Sequence, residues 1–222
     1  MHNMILDLIV SKAVEIFFIT SIGDQTHTSV SQDKVRRLSV DYRGQENLMS
    51  WSSMISSHVQ SLSIFGYSEK MLPISNFQAL RMLDRDSRVK LQNNYLRKLG
   101  DLFQLRYLRI AARRLTHLPD QIGELQFLET LDLCRTWIRK LPASIVKLRW
   151  LNLLSVNGSQ LLDGVRNMQS LEELSGVSVY DACSIDSLQE LGSLTNLRAL
   201  RLTWHISESR NDRTTYTDIL AS

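Results

Sequence analysis

Leu105-Arg-Tyr-Leu108-Arg-Ile110, Leu128-Glu-Thr-Leu131-Asp-Leu133, Leu151-Asn-Leu-Leu154-Ser-Val156 and Leu197-Arg-Ala-Leu200-Arg-Leu202 are four copies of one pattern, Leu-x-x-Leu-x-Leu. Degenerate copies start at Val35 (with Leu38, Val40), Val59 (Leu62, Ile64), Leu80 (Leu83, then Arg85) and Leu171 (Leu174, then Gly176). The first positions 35, 59, 80, 105, 128, 151, 171 and 197 are 24, 21, 25, 23, 23, 20 and 26 residues apart. All seven steps fall within the roughly 20–29 residues of a leucine-rich repeat. A leucine-rich amphipathic helix is the competing reading, but apolar residues at i, i+3 and i+5 do not continue with a period of about 3.6. Each block also ends in turn chemistry, as at Leu118-Pro119 and Leu141-Pro142. The spacing therefore predicts an α/β fold: a leucine-rich-repeat solenoid with short parallel strands on its concave face and helical or 3-10 turns on its convex face.

The residues between the strands fit this plan. Pro119-Asp-Gln-Ile122-Gly-Glu-Leu125 and Pro142-Ala-Ser-Ile145-Val-Lys-Leu148 supply a turn whose Ile and Leu close the convex side. One repeat cannot bury its apolar face alone, so the core forms only by stacking. Where many such repeats carry an Asn or Cys that bonds the turn backbone, this chain has Arg113, Thr136 and Ser159. The ladder is thereby weakened, so irregular stacking is expected, although Thr and Ser still bond locally. Outside the array, the sequence reads as a short helix over 4–14, a strand-like 16–20 and a linker over 21–34. The repeats run over 35–206, a Ser-rich loop over 50–63, and a polar insertion or truncated repeat over 207–222.

Composition excludes several classes. In 222 residues, 43% hydrophobic and 22% charged, there is enough apolar material for a core and no sign of general disorder. A net charge of +3 is too small to imply a nucleic-acid partner. The chain has no run of about 20 apolar residues, so no membrane span is expected. Cys134 and Cys183 lack the flanking cysteines that cap many secreted repeat arrays, which disfavours a receptor ectodomain and points to a reducing compartment. The cytoplasm is the expected location, with the nucleus second. The triplet Asn157-Gly158-Ser159 reads as a turn and not as a glycan acceptor.

No phosphate-cradling glycine loop, no dinucleotide-binding glycine motif and no His-Glu-x-x-His occurs. The five histidines are scattered without Cys or carboxylate companions at ligand spacing. Neither catalysis nor a metal is expected. Binding suits a solenoid better, because its strands form one long concave surface. In register, the second motif position supplies Arg81, Arg106, Glu129, Asn152, Glu172 and Arg198, and the fifth supplies Asp84, Arg109, Asp132, Ser155 and Arg201. Tyr107 stands beside this strip. These twelve residues are the candidate protein-binding face. Their signs alternate between repeats, so cross-strand pairing within the sheet competes with recognition as their role. Trp137 and Trp150 lie on turns and read more readily as half-buried packing than as contact anchors.

Val35-Arg-Arg-Leu-Ser-Val40, Val59-Gln-Ser-Leu-Ser-Ile-Phe65, Phe77-Gln-Ala-Leu-Arg-Met-Leu-Asp84, Leu102-Phe-Gln-Leu-Arg-Tyr-Leu108, Leu118-Pro-Asp-Gln-Ile-Gly-Glu-Leu125 and Leu171-Glu-Glu-Leu174 occur in an order that resembles plant nucleotide-binding leucine-rich-repeat disease resistance proteins, in particular the coiled-coil class of grasses. Met1-His2-Asn3 is similar to the Met-His-Asp motif that ends the nucleotide-binding module of that family, with Asn3 departing from Asp. The resemblance implies that residues 1–20 are the end of that winged-helix module and that His2 is a vestigial nucleotide contact. It implies ADP or ATP only for a longer form carrying the phosphate-binding loop, so no cofactor is expected here. It further implies a recognition and autoinhibitory region whose partners are proteins: a pathogen effector or guarded host protein, the chain's own nucleotide-binding module, and signalling proteins. A free-standing intracellular adaptor is the alternative.

Overall fold

The computed structural model describes residues 20–22, 35–41, 58–66, 72–87, 91, 93–180 and 185–205. Within them, nine strands form one sheet in which sequence order equals spatial order and every neighbouring pair is parallel. They are β1 (Thr20–Ile22), β2 (Arg37–Asp41), β3 (Ser61–Phe65), β4 (Met82–Asp86), β5 (Tyr107–Ala111), β6 (Thr130–Asp132), β7 (Leu153–Gln160), β8 (Glu173–Tyr180) and β9 (Ala199–His205). Short helices lie between strands: α1 (Asn93–Arg97), α2 (Ile185–Gly192) and 3-10 turns such as Asp120–Glu124 and Ala143–Lys147. The solenoid expected from the leucine spacing is the observed fold. The N-terminal helix and the polar tail over 207–222 lie outside the described residues. Two boundaries differ from the sequence reading. Ser21 and Ile22, taken as the start of a linker, are strand residues of β1 paired with Ser39 and Val40. Ser61 to Ser63, taken as the end of a loop, belong to β3.

The joint between repeats is a backbone ladder at the second motif position. The amides of Gln60, Arg81, Arg106, Glu129, Asn152, Glu172 and Arg198 each donate to the carbonyl of the preceding second position, at 2.7–2.8 Å. Each such carbonyl accepts again from the following third position, for example Tyr107 N to Arg81 O at 3.0 Å. This fixes the register, so that Leu83, Leu108, Leu131, Leu154 and Leu174 stand side by side. These fourth positions are buried, as are the first and sixth positions of the copies at 105, 128 and 151, and together they form a continuous core; in the last copy Leu197 and Leu202 are only partly buried and Leu200 is exposed. On the convex side Ile122, Leu125, Ile145 and Leu148 of the turns close that core. Successive turns press together closely: a Cβ on Gly123 would meet the Ser144 carbonyl oxygen at 2.6 Å.

Thr136 lies in a turn, whereas Asn157-Gly158-Ser159, read as a turn from the sequence, are strand residues at the end of β7. Thr136 Oγ1 donates to the Leu133 carbonyl at 2.8 Å within its own turn. Ser159 Oγ donates instead to Ile138 of the preceding repeat at 2.5 Å, and Asn157 Nδ2 bonds the Thr136 carbonyl at 3.2 Å. Stacking is irregular towards the C-terminal strands. The β7–β8 register shifts between Ser155 and Ser159, and the β8–β9 register shifts at Gly176. Gly176 has φ +77, and a Cβ there would lie 1.9 Å from the Val156 carbonyl oxygen, so only glycine fits this bulge.

One core position breaks the rule. Arg85 stands where neighbouring repeats place Ile64 and Ile110, and it is 2% exposed. Its Nε and Nη1 have no hydrogen-bond partner, and the guanidinium sits 5.2 Å from the centroid of the Tyr95 ring. Two of its buried nitrogens have lost water without gaining a hydrogen bond, and one cation–π contact only partly replaces that water. Arg85→Leu therefore raises stability by about 1–3 kcal/mol in urea unfolding; a variant less stable than the parent contradicts this. Leu131, fully buried at the centre of the array, gives the opposite test. Leu131→Ala lowers unfolding free energy by about 2–5 kcal/mol, and parental thermal stability would refute the register.

Candidate functional site

Alternation along a strand sends residues next to the buried leucines to the concave side. The registers align two such rows: Met82, Tyr107, Thr130 and Leu153 at the third motif position, and Asp84, Arg109, Asp132 and Ser155 at the fifth. All eight are part-exposed. Second-position residues lie elsewhere, at the rim where strands begin, each one residue before its strand. Of the twelve residues picked from the sequence, Asp84, Tyr107, Arg109, Asp132 and Ser155 share the central sheet face. Arg81, Arg106, Glu129, Asn152 and Glu172 lie along the leading rim, and Arg198 and Arg201 lie at the β9 end. His2 is outside the described residues. The third-position residues Met82, Thr130 and Leu153 were missed. Counting back two residues from each fifth position would have found them, since strand side chains repeat with period two.

The central charges are ordered. Arg109 Nη1 donates to Asp84 Oδ1 at 2.7 Å, and its Nε lies 3.6 Å from Asp132 Oδ2. One guanidinium thus spans three strands between two carboxylates, with all three side chains only about one-fifth exposed. Asp132 also accepts the Cys134 backbone amide at 2.9 Å. Burial, followed by Asp84 and Asp132, pushes the Tyr107 phenol above its usual range, so it stays protonated and able to donate. Burial, followed by a hydrogen bond to Asp132, raises the Cys134 thiol as well. The result is a half-buried surface of one phenol, one guanidinium, two carboxylates and the apolar Met82 and Leu153. Such a surface offers directional donors and acceptors to a protein segment laid across the strands.

The leading rim is wetter. Arg106 pairs with Glu129 at 2.5 Å and Arg198 with Glu172 at 3.1 Å, with most of these side chains in solvent. Asn152, with its amide oriented to satisfy both neighbours, donates to the Trp150 and Ser170 carbonyls at 3.0 and 3.2 Å. The sequence-level competition between pairing and recognition thus divides: the alternating charges do pair across strands, and the central triad leaves its outer edges open. Trp137 and Trp150 are not packing residues. They are 58% and 63% exposed, on turns outside the core. A depression of about 430 Å³ on the convex side, lined by Asp120, Glu124, Ser144 and Lys147 among others, lies away from this face. Among the described residues no group of three or more His, Cys, Asp or Glu is placed to hold a metal, and no helix is long and apolar enough to cross a membrane.

Comparison with known proteins agrees with this geometry. The family described as "Leucine-rich repeat region" matches residues 58–222. Two rice (Oryza sativa subsp. japonica) relatives are the disease resistance proteins Pik-2, 32% identical over 71% of this chain, and RGA5, 33% identical over 94%. The chain spans only 15% of the length of Pik-2 and 19% of RGA5. Among solved structures, a leucine-rich-repeat protein of Leptospira interrogans superposes with a TM-score of 0.60 at 22% identity, covering 88% of this chain and 52% of that one.

The two classes of ion pair should differ in strength. Arg109→Leu leaves Asp84 and Asp132 facing each other without their cation and lowers stability by about 1–3 kcal/mol. Breaking the exposed Arg106–Glu129 pair with Glu129→Gln changes it by at most about 0.5 kcal/mol. Chemical unfolding of both variants checks the order, and equal effects would refute the distinction.

Proposed function

The chain belongs to the leucine-rich repeat region family, and from that premise we propose that it is the recognition and autoinhibitory region of a plant disease resistance protein, acting without catalysis by binding proteins across its concave sheet. The observation that carries the reading is the central surface of β4 to β7. There Asp84, Arg109 and Asp132 neutralise one another while Tyr107, Met82 and Leu153 remain part-exposed. Mutual pairing holds the charges in fixed geometry before any partner arrives, so little ordering remains to oppose binding. The neighbouring Tyr107 is of the residue type enriched among the few that dominate interface energy.

The disease resistance names of the rice relatives support the biological setting. The partners we propose are a pathogen effector or guarded host protein, the nucleotide-binding module of the same receptor, and downstream signalling proteins, all met in the cytoplasm or nucleus. A free-standing adaptor would use the same surface, and the two readings separate on whether a phosphate-binding loop is encoded in the same reading frame.

The test is a leaf cell-death assay on the longest natural reading frame containing this chain. The double variant Tyr107→Ala, Asp132→Lys is expected either to abolish the challenge-dependent response or to trigger it without challenge. Lys147→Glu, on the convex side, is expected to behave as the parent. A folded concave variant with an unaltered response contradicts the proposal.

A further inference from the structure

The loops that leave the strands form a second rim, opposite the one where the strands begin. Trp137 N donates to the Leu115 carbonyl at 2.9 Å and Gln160 N to the Arg139 carbonyl at 2.8 Å, which sets the loops over 112–118 and 135–141 and the end of β7 with the loop that follows it side by side. Two basic pairs distant in sequence, Arg113-Arg114 and Arg139-Lys140, thereby come onto adjacent loops, and all four side chains are exposed. Trp137, on the second of these loops and tied by its amide to the first, has an exposed indole. Arg135 adds a fifth cation, with only a long 3.9 Å approach to Asp86. On the next loop Asp163 already has an interaction of its own.

This rim differs from the sheet beside it. Arg106, Arg109 and Arg198 each have a carboxylate partner, and Arg81 and Arg201, without one among the described residues, stand singly on distant repeats. Among the described residues Arg113, Arg114, Arg139 and Lys140 have no ion-pair partner. Concentrated, uncompensated positive charge at loop tips attracts an anionic partner. Its shape distinguishes the candidates. A single nucleic-acid strand is usually held in a groove with several aromatics for successive bases, whereas these cations stand on a protruding edge with one aromatic. That aromatic is a tryptophan, whose indole favours the level of lipid headgroups, and arginine and lysine around it can reach phosphates while keeping their stems along the apolar boundary.

We propose that this trailing rim is a docking surface for an anionic phospholipid bilayer, with Trp137 at headgroup depth and Arg113, Arg114, Arg139 and Lys140 on the lipid phosphates and carboxylates. Docked in this way, the strands run towards the membrane and the concave sheet stays open at the side, so a protein partner and a membrane can be bound together. The inference is independent of the concave-face reading, because it uses none of its residues.

Vesicle co-sedimentation of the full 222-residue chain tests it. Phosphatidylcholine vesicles containing about 30% phosphatidylserine are expected to bind at least about ten times more protein than pure phosphatidylcholine vesicles, and binding should collapse at high salt. Arg113→Glu with Arg114→Glu, or Arg139→Glu with Lys140→Glu, should each remove at least about nine-tenths of the binding, while Glu129→Gln on the leading rim leaves it intact. Phosphatidylserine vesicles should also shift the tryptophan emission of the parent to the blue, and Trp137→Phe should lose that shift. No binding to the anionic vesicles, equal binding to neutral ones, or binding indifferent to both charge reversals overturns the proposal. So does retention of a single-stranded oligonucleotide through these residues without vesicle binding. The salt and fluorescence measurements on the parent chain decide the matter even where a reversed variant fails to fold.

Discussion

Every property of this array depends on the bond that the second motif position makes to its counterpart one repeat earlier. From Arg36 to Arg198 that amide-to-carbonyl step recurs at almost constant length. It holds successive strands in one register, and the register in turn sets each inward leucine beside the next. A parallel pair of so few residues would not persist alone. The core supplies the missing stabilisation, because Leu108, Leu131 and Leu154 are fully buried in one apolar stack that neighbouring repeats and their turns build together. Backbone ladder and apolar stack are therefore one cooperative device, repeated.

The same device decides where charge is tolerated. Strand neighbours about 4.8 Å apart force any two ionic side chains in one row to interact, and the fifth-position row of β4 to β6 meets that constraint by alternating Asp84, Arg109 and Asp132. On the outgoing loops no such constraint acts, because the chain spreads there and side chains reach water. Arg113, Arg114, Arg139 and Lys140 can remain uncompensated. Arg85 is the exception inside the core, where the third repeat keeps a guanidinium in place of an aliphatic side chain and covers it with Tyr95.

Much of this was legible in the sequence, for definite reasons. Leu-x-x-Leu-x-Leu at steps of 20 to 26 residues leaves few alternatives to stacked parallel strands, and the prolines at 119 and 142 mark where the convex turns begin. The alternating signs at the fifth position left pairing and recognition as competing readings, and the Asp84–Arg109–Asp132 bridge shows that these charges pair. Less was legible where geometry depends on a single residue or on stacking. Gly176 read as a failed copy of the motif, yet it makes the bulge that carries β8 to β9. The third motif position was overlooked because the leucine template draws attention to the second and fifth. Trp137 and Trp150 resembled packing residues, since sequence alone does not tell which side of a turn faces out. Arg113-Arg114 and Arg139-Lys140 are 25 residues apart in sequence, and only stacking places them on neighbouring loops.

The central claim is that repeats hold one another solely through nearest neighbours, so that the concave surface is rigid in its middle and softer towards its ends. Residue-resolved amide hydrogen exchange measures this directly. Protection should be highest for the second-position amides of Arg106, Glu129 and Asn152, and should fall progressively towards Gln60 in one direction and Arg198 in the other. Uniform protection from Gln60 to Arg198, opening in a single step, would contradict the account.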